Sequence, residues 1–117
     1  MKILVIDDEP QIARLFGRLL GGDVEVTVAS GVTDALQCVD DQRFDAFVCD
    51  LNMPQLSGID FYRRLAARRP GRERRIIFLT GGFFSEEKQR FFDAIDNPLV
   101  LKPFEIEEIQ EALAAVL

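Results

Sequence analysis

Short apolar runs alternate with longer segments in which apolar residues recur at helical spacing. Residues 3–6 are continuously apolar, which is typical of a strand covered on both faces of a parallel sheet. Pro10 then suits the first turn of a helix, and Gly21 and Gly22 would end it. The apolar stripe of this helix consists of Ile12, Leu15, Phe16, Leu19 and Leu20. The pattern therefore predicts one βα unit.

The same alternation continues to residue 117. Further strands are predicted at residues 24–29, 44–49, 75–79 and 99–101, and helices at residues 33–40 and 58–68. Ser85 would cap a fourth helix, whose apolar side consists of Phe84, Phe91, Phe92 and Ile95. A terminal helix carries Ile106, Ile109, Leu113 and Val116. Five strands that alternate with five helices predict one α/β domain over residues 1–117, a doubly wound parallel sheet with right-handed crossovers.

Composition and charge narrow the possible functions. The 117 residues are 48% hydrophobic and 29% charged, as in ordinary globular domains, and no apolar run approaches the length of a membrane span. We therefore expect a cytoplasmic protein with no direct contact to membranes. The net charge of −6 disfavours direct nucleic-acid binding, and the absence of histidine excludes His-based acid-base chemistry. Cys38 and Cys49 are interpreted as buried thiols.

Seven arginines lie between residues 63 and 75. They could mark a partner-binding face, but cations also suit the C-terminal end of a helix, and we interpret them as a solvated helix end and loop.

Polar residues follow the predicted strands at positions where parallel sheets bind ligands. Asp7 and Asp8 follow the first strand, and Asp50, Thr80 and Lys102 follow the third, fourth and fifth. Carboxylates about 4 Å apart repel by roughly 4 kcal/mol per pair at an effective dielectric near 20, so protonation or a hard cation such as Mg²⁺ must offset them. Each residue alone has an ordinary explanation, in a solvated helix start or a turn. Their coincidence at one edge indicates a site where a carboxylate could attack phosphorus.

These motifs resemble the receiver domain of bacterial two-component response regulators. The resemblance rests on Asp7-Asp8, on D-L-N-M-P-Q-L-S-G from Asp50 to Gly58, on Leu79-Thr80-Gly81 and on Leu101-Lys102-Pro103-Phe104, and it spans all five βα units. It implies a flavodoxin-like sheet in the order 2-1-3-4-5. It also implies a signalling domain that is no enzyme in the ordinary sense, although it assists its own phosphotransfer and dephosphorylation.

The resemblance implies a role for each matching residue. Asp50 would be the phosphoacceptor and would receive a phosphoryl group from a histidine kinase or a histidine phosphotransfer domain. Mg²⁺ would be held by the side chains of Asp8 and Asp50, by the backbone carbonyl of Asn52 and, mostly through water, by Asp7. Lys102 would pair with the phosphoryl group, and Thr80 would turn inward to donate a hydrogen bond to it.

Further positions would accompany the switch. Gly81 and Gly82 leave the phosphoryl site uncrowded, and in the family the bond that matches Lys102–Pro103 is cis. Glu9 has no matching role and is interpreted as a charge in the first turn of the helix. The family often carries an aromatic ring where this chain has Leu99, which we interpret as a core residue. The switch would then respond in another way, for example through Phe83 and Phe84.

The main hypothesis is a phosphoacceptor module that switches a surface for an unidentified downstream protein. The segments T-G-G-F-F and N-P-L-V-L-K-P-F are similar to receivers of hybrid sensor histidine kinases, and a free-standing receiver is the alternative. A pseudo-receiver that is never phosphorylated, and an aspartyl-phosphate phosphatase of the haloacid dehalogenase type, are further alternatives. A phosphatase would require a general acid, and none is identifiable in this sequence.

Overall fold

Strands and helices alternate along the whole chain in the computed structural model, which describes residues 1–53, 55–82 and 84–117. The strands are β1 (Lys2–Ile6), β2 (Glu25–Ala29), β3 (Ala46–Asp50), β4 (Ile76–Thr80) and β5 (Leu99–Leu101). The helices are α1 (Pro10–Leu19), α2 (Val32–Asp41), α3 (Gly58–Arg68), α4 (Glu86–Asp93) and α5 (Ile106–Val116), with a 3₁₀ turn at Arg72–Arg75. Pro54 of the D-L-N-M-P segment and Phe83 lie outside the described residues.

The five strands form one parallel sheet in the order β2-β1-β3-β4-β5, which confirms the predicted fold. The register pairs Ile6 with both Ala29 and Cys49, and Thr80 with Leu101. The carboxyl ends of β1, β3, β4 and β5 therefore lie side by side at one edge of the sheet.

Both faces of the sheet are covered, which explains the unbroken apolar runs in the strands. Leu4 and Ile6 point to the face that packs against buried residues of α2 and α3. Ile3 and Val5 point to the opposite face, where Phe16 of α1 and buried residues of α5 complete a second cluster. Helices on both faces leave the ends of the strands as the open positions of the sheet.

Helix starts follow the local capping chemistry. Ser57 caps α3 in a capping box with Asp60, and the hydroxyl of Ser85 accepts a hydrogen bond from the Lys88 N–H at 3.3 Å, as the sequence predicts for α4. The aromatic residues of the fourth helical segment are only partly buried. Phe92 stacks on Phe84 and makes an edge contact with Phe78 of β4, at centroid distances of 5.2 and 5.1 Å. These rings attach α4 to the sheet.

The predicted bounds of β3 and β4 are wrong by one or two residues. Phe44 is buried but precedes β3, and the backbone N–H of Lys2 donates to the carboxylate of the next residue, Asp45, at 2.8 Å. Arg75 belongs to the 3₁₀ turn, which follows Gly71 at a φ of +95°. Strands β3 and β4 instead continue through Asp50 and Thr80, because these residues still pair with neighbouring strands. Both candidate site residues are therefore held by the sheet itself.

The prediction that Leu99 is a core residue is wrong. Leu99 is 40% exposed and Leu101 is 54% exposed, whereas Val100 between them is 6% exposed and packs in the cluster with α5. Strand β5 is one of the two edge strands, so its residues have a neighbouring strand on one side only. On the face of the sheet that carries Leu99 and Leu101, the ring of Phe92 packs over Phe78 of the adjacent strand β4, and the two leucines remain exposed.

Within the part of the chain that the structure describes, no helix is both long enough and apolar enough to span a bilayer.

Candidate functional site

Four carboxylates meet at the carboxyl edge of the sheet. One oxygen from each of Asp7, Asp8, Glu9 and Asp50 lies within 4.8 Å of the others. Asp7 to Glu9 form the segment between β1 and α1, and Asp50 is the last residue of the adjacent strand β3. The structure thus brings together the acidic residues that the sequence predicts, and it adds Glu9.

Asp50 is held by contacts to both of its carboxylate oxygens. Its Oδ1 accepts a hydrogen bond from the backbone N–H of Asn52 at 3.0 Å, and its Oδ2 accepts one from Nζ of Lys102 at 2.9 Å. The residue is only 3% exposed. These contacts hold a mostly desolvated carboxylate in one orientation, and such a carboxylate could act as a nucleophile.

Asp7 is buried with only one of its oxygens hydrogen-bonded. Oδ1 accepts from the backbone N–H of Glu9 at 2.8 Å, whereas the buried Oδ2 accepts no hydrogen bond from any described residue. The nearest cation to Oδ2 is Nζ of Lys102, at 3.6 Å. Burial, reinforced by the charges of Asp50 and Glu9, raises the pKa of Asp7. Among the described residues, the cation that lies near Oδ2 is therefore too distant to donate a hydrogen bond to it.

Lys102 links the two buried carboxylates. Burial lowers its pKa, but the hydrogen bond to Asp50 and the charges of Asp50, Asp7 and Glu9 outweigh that effect, so the pKa is raised overall. Its backbone N–H donates to the carbonyl of Thr80 at 2.8 Å, and the following bond to Pro103 is cis, as the resemblance implies. The ammonium therefore stays charged at the centre of the site.

Thr80 ends β4 beside the carboxylates and is 3% exposed. Its Oγ1 accepts a hydrogen bond from the backbone N–H of Gly82 at 3.1 Å, so the hydroxyl proton can still be donated elsewhere. Gly81 lies next to the Asn52 side chain, because a Cβ on Gly81 would be 4.0 Å from Asn52 Nδ2. The loop after β4 thus borders the site closely without filling it.

The interpretation of Glu9 as a charge in the first turn of a helix is wrong. Glu9 is the N-cap residue of α1, and its side chain makes no capping hydrogen bond. Its carboxylate joins the acidic cluster instead. Three consecutive carboxylates in the sequence were a usable signal, but their spacing could not show which of them face Asp50.

The acidic cluster has the chemistry of a site for a hard cation. Mg²⁺ prefers oxygen ligands and is commonly held by one or two carboxylates together with water. The four carboxylates fit such an ion, above all Oδ2 of Asp7, which accepts no hydrogen bond from any described residue. The side-chain oxygens available to hold it are those of Asp7, Asp8, Glu9 and Asp50.

The comparisons with known proteins agree with this geometry. The family model for the response regulator receiver domain matches residues 3–114. The two-component response regulator PhoP of Pseudomonas aeruginosa is 33% identical over 118 residues, which cover 100% of this chain and 52% of PhoP. The sensor histidine kinase RcsC of Salmonella typhi is 30% identical over 115 residues, 97% of this chain and 12% of the kinase. The chain thus spans about half the length of several curated relatives and much less of others.

Solved structures with the same fold include two informative neighbours. The chemotaxis protein CheY4 of Vibrio cholerae superposes with a TM-score of 0.86 at 28% identity, over 99% of this chain and 98% of CheY4. The response regulator TrrA of Thermotoga maritima, in complex with Mg(2+)-BeF, has a TM-score of 0.80 at 26% identity, over the same shares of the two chains. Both superpositions therefore extend over nearly the whole of this chain.

Proposed function

The chain belongs to the response regulator receiver domain family, and we propose that residues 1–117 form one such domain, which accepts a phosphoryl group on Asp50. The observation that carries the proposal is the setting of Asp50, a buried carboxylate fixed by Lys102 and Asn52 beside three further carboxylates. The donor would be a phosphohistidine of a histidine kinase or of a histidine phosphotransfer domain. The domain is a signalling unit rather than an enzyme in the ordinary sense.

The proposed reaction is a displacement at phosphorus. A carboxylate oxygen of Asp50 forms the new O–P bond, the bond from phosphorus to the donor nitrogen breaks, and the leaving imidazole keeps the electron pair. The product carries more negative charge at Asp50 than the carboxylate did. Lys102, now 2.9 Å from Oδ2, supplies positive charge, and the hydroxyl of Thr80 on the neighbouring strand supplies a hydrogen-bond donor.

We propose that the acidic cluster holds Mg²⁺. Asp8 and Asp50 would contribute side chains, Asn52 its carbonyl and Asp7 a contact mostly through water, and Glu9 joins these candidates because its oxygen lies in the cluster. The ion would supply charge stabilisation to the transferring phosphoryl group. TrrA, solved in complex with Mg(2+)-BeF, is a receiver-fold precedent for such an occupant.

We propose that phosphorylation changes a partner-binding surface at the β5 edge. Leu101 packs against the loop after β4, since a Cβ on Gly82 would be 3.0 Å from Leu101 Cδ1. Thr80 is hydrogen-bonded to both Gly82 and Lys102, so a movement of Thr80 toward a phosphoryl group must alter this loop. Exposed Leu99 and Leu101 would present the change to a downstream protein. Phe84, stacked on Phe92, would follow the same loop movement.

We propose a cytoplasmic location, which the free thiols of Cys38 and Cys49 support because such thiols persist in reducing compartments. The similarity to RcsC, of which this chain matches 12%, supports a receiver within a longer kinase. The similarity to PhoP supports a receiver within a response regulator.

Phosphorylation of Asp50 can be tested by intact-mass measurement. The protein is incubated with a small acyl-phosphate donor, with Mg²⁺ or with EDTA, and we expect one added phosphoryl group only with Mg²⁺. The added mass should be removed by hydroxylamine, which cleaves acyl phosphates. Asp50→Asn should abolish labelling, and Asp23→Asn, at an exposed position, should not.

Three results would overturn the proposal. Absence of labelling in folded wild-type protein with Mg²⁺ would favour the pseudo-receiver, and undiminished labelling of Asp50→Asn would place the acceptor elsewhere. Repeated turnover of the donor without a stable label would instead favour a phosphatase.

A further inference from the structure

Four arginines meet at the amino-terminal edge of the sheet, opposite the Asp50 site. Arg43 precedes β3, Arg69 follows α3, and Arg72 and Arg75 belong to the 3₁₀ turn before β4. Arg43, Arg69 and Arg72 line one narrow crevice together with Phe44 and Phe47. We name these four residues the basal arginine cluster.

No member of the basal arginine cluster forms an ion pair with a carboxylate of the described residues, and the charge of Asp45 acts on Arg43 and Arg72 only from beyond 4.0 Å. Among the described residues, ion pairs within 4.0 Å involve only Arg68 with Asp40, and Lys102 with Asp7 and Asp50. Arg69 and Arg75 donate instead to neutral backbone carbonyls, those of Val39 and Asp45, at 3.3 Å each. The neighbouring carboxylate of Asp45 accepts the backbone N–H of Lys2 at 2.8 Å.

Arg72 is the member of the cluster with a buried donor that lacks an acceptor among the described residues. Its Nη1 is buried and has no hydrogen-bond acceptor among the described residues, a state that costs free energy until an acceptor is supplied. Desolvation and then the charges of Arg43 and Arg75 lower the pKa of Arg72, whereas Asp45 acts in the opposite direction. The crevice measures about 20 Å³, which is enough for one oxygen-sized group.

We propose that the basal arginine cluster binds a phosphate group, whose oxygens accept hydrogen bonds from the guanidinium groups of Arg43, Arg69 and Arg72 that line the crevice. Guanidinium groups bind phosphate oxygens through several parallel N–H donors. A dianionic, tetrahedral group matches several clustered guanidiniums better than a single carboxylate does. The source is free phosphate or a phosphate ester, and the site is independent of phosphorylation at Asp50.

Inorganic phosphate, titrated at constant ionic strength in EDTA, tests the proposal by amide NMR. We expect shifts concentrated at residues 42–45 and 71–73, with an apparent dissociation constant that rises about tenfold or more in Arg72→Gln and in Arg43→Gln. Arg90→Gln, an exposed position on α4, should titrate like the wild type. The spectra themselves report whether each variant is folded, and Arg43→Gln keeps the test valid if Arg72→Gln is not.

Parallel titrations identify the ligand class. ATP without Mg²⁺ binding at the same residues would assign a phosphate ester, and its failure where phosphate binds would assign free phosphate. Equal shifts from chloride or acetate, shifts confined to the surroundings of Asp50, or an unchanged affinity in both cluster variants would overturn the proposal.

Discussion

Lys102 donates to Oδ2 of Asp50 at 2.9 Å although 52 residues separate the two in the chain. The same ammonium lies 3.6 Å from Oδ2 of Asp7, and its side chain is 23% exposed. One cation thus offsets two buried carboxylates, and the site depends on it electrostatically.

Replacing Lys102 with methionine should destabilise the metal-free protein. Removing one partner leaves buried charges uncompensated, and for this partly exposed lysine we expect a loss of about 1–3 kcal/mol in the free energy of unfolding. Urea denaturation in EDTA at pH 7 measures it, and Mg²⁺ should restore part of the loss. Lys88→Met, on α4, is the control. Equal stability of Lys102→Met and wild type would contradict this electrostatic account.

Asp7→Asn should increase the stability of the metal-free protein and decrease its affinity for Mg²⁺. The substitution removes one of the crowded charges, whose pKa burial already raises, so we expect the metal-free protein to gain about 1 kcal/mol. Affinity for Mg²⁺ should fall about tenfold or more. Calorimetric titration and thermal unfolding with and without Mg²⁺ report the two effects, with Asp23→Asn as a control. Undiminished Mg²⁺ affinity would exclude Asp7 from the cation site.

Replacing each of two glycines with alanine should change the free energy of unfolding in opposite directions. Gly82 has a φ of +108°, and a Cβ there would be 3.0 Å from Leu101, so Gly82→Ala should cost about 1–2 kcal/mol. Gly17 lies within α1 with open space around it, so Gly17→Ala should add about 0.5–1 kcal/mol. Chemical denaturation of both variants checks the pair. A neutral Gly82→Ala would show that the loop after β4 adopts another conformation.

Asp45 should contribute to the loss of stability in acid. Its pKa is lowered, chiefly by the hydrogen bond from the Lys2 N–H, so the ionised form stabilises the fold above the ordinary value of 3.8. That contribution is lost as the pH falls through the lower pKa of the folded state. Unfolding free energies between about pH 5 and about pH 3 should therefore decline less steeply in Asp45→Asn than in wild type. Equal slopes, or an NMR titration of Asp45 at or above 3.8, would refute the prediction.

The sequence by itself determined the alternation of strands and helices and the residues at the strand ends. Both follow from local chemistry, because a buried parallel strand must be apolar throughout and the polar residues after it begin the loop. Asp7, Asp50, Thr80 and Lys102 can therefore be selected from the sequence alone. Their placement on adjacent strands followed from the implied strand order, which the structure confirms.

Only the tertiary structure decided which side chains meet. Leu99 is exposed because β5 is an edge strand and because the aromatic ring of α4 packs over the neighbouring strand β4. Neither fact can be predicted from a leucine within an apolar run. The inclusion of Glu9 in the acidic cluster depends on the turn between β1 and α1. The clustering of Arg72 with Arg43 depends on segments about 30 residues apart meeting at one edge. Local patterns specify elements, whereas distances between charges arise from long-range packing.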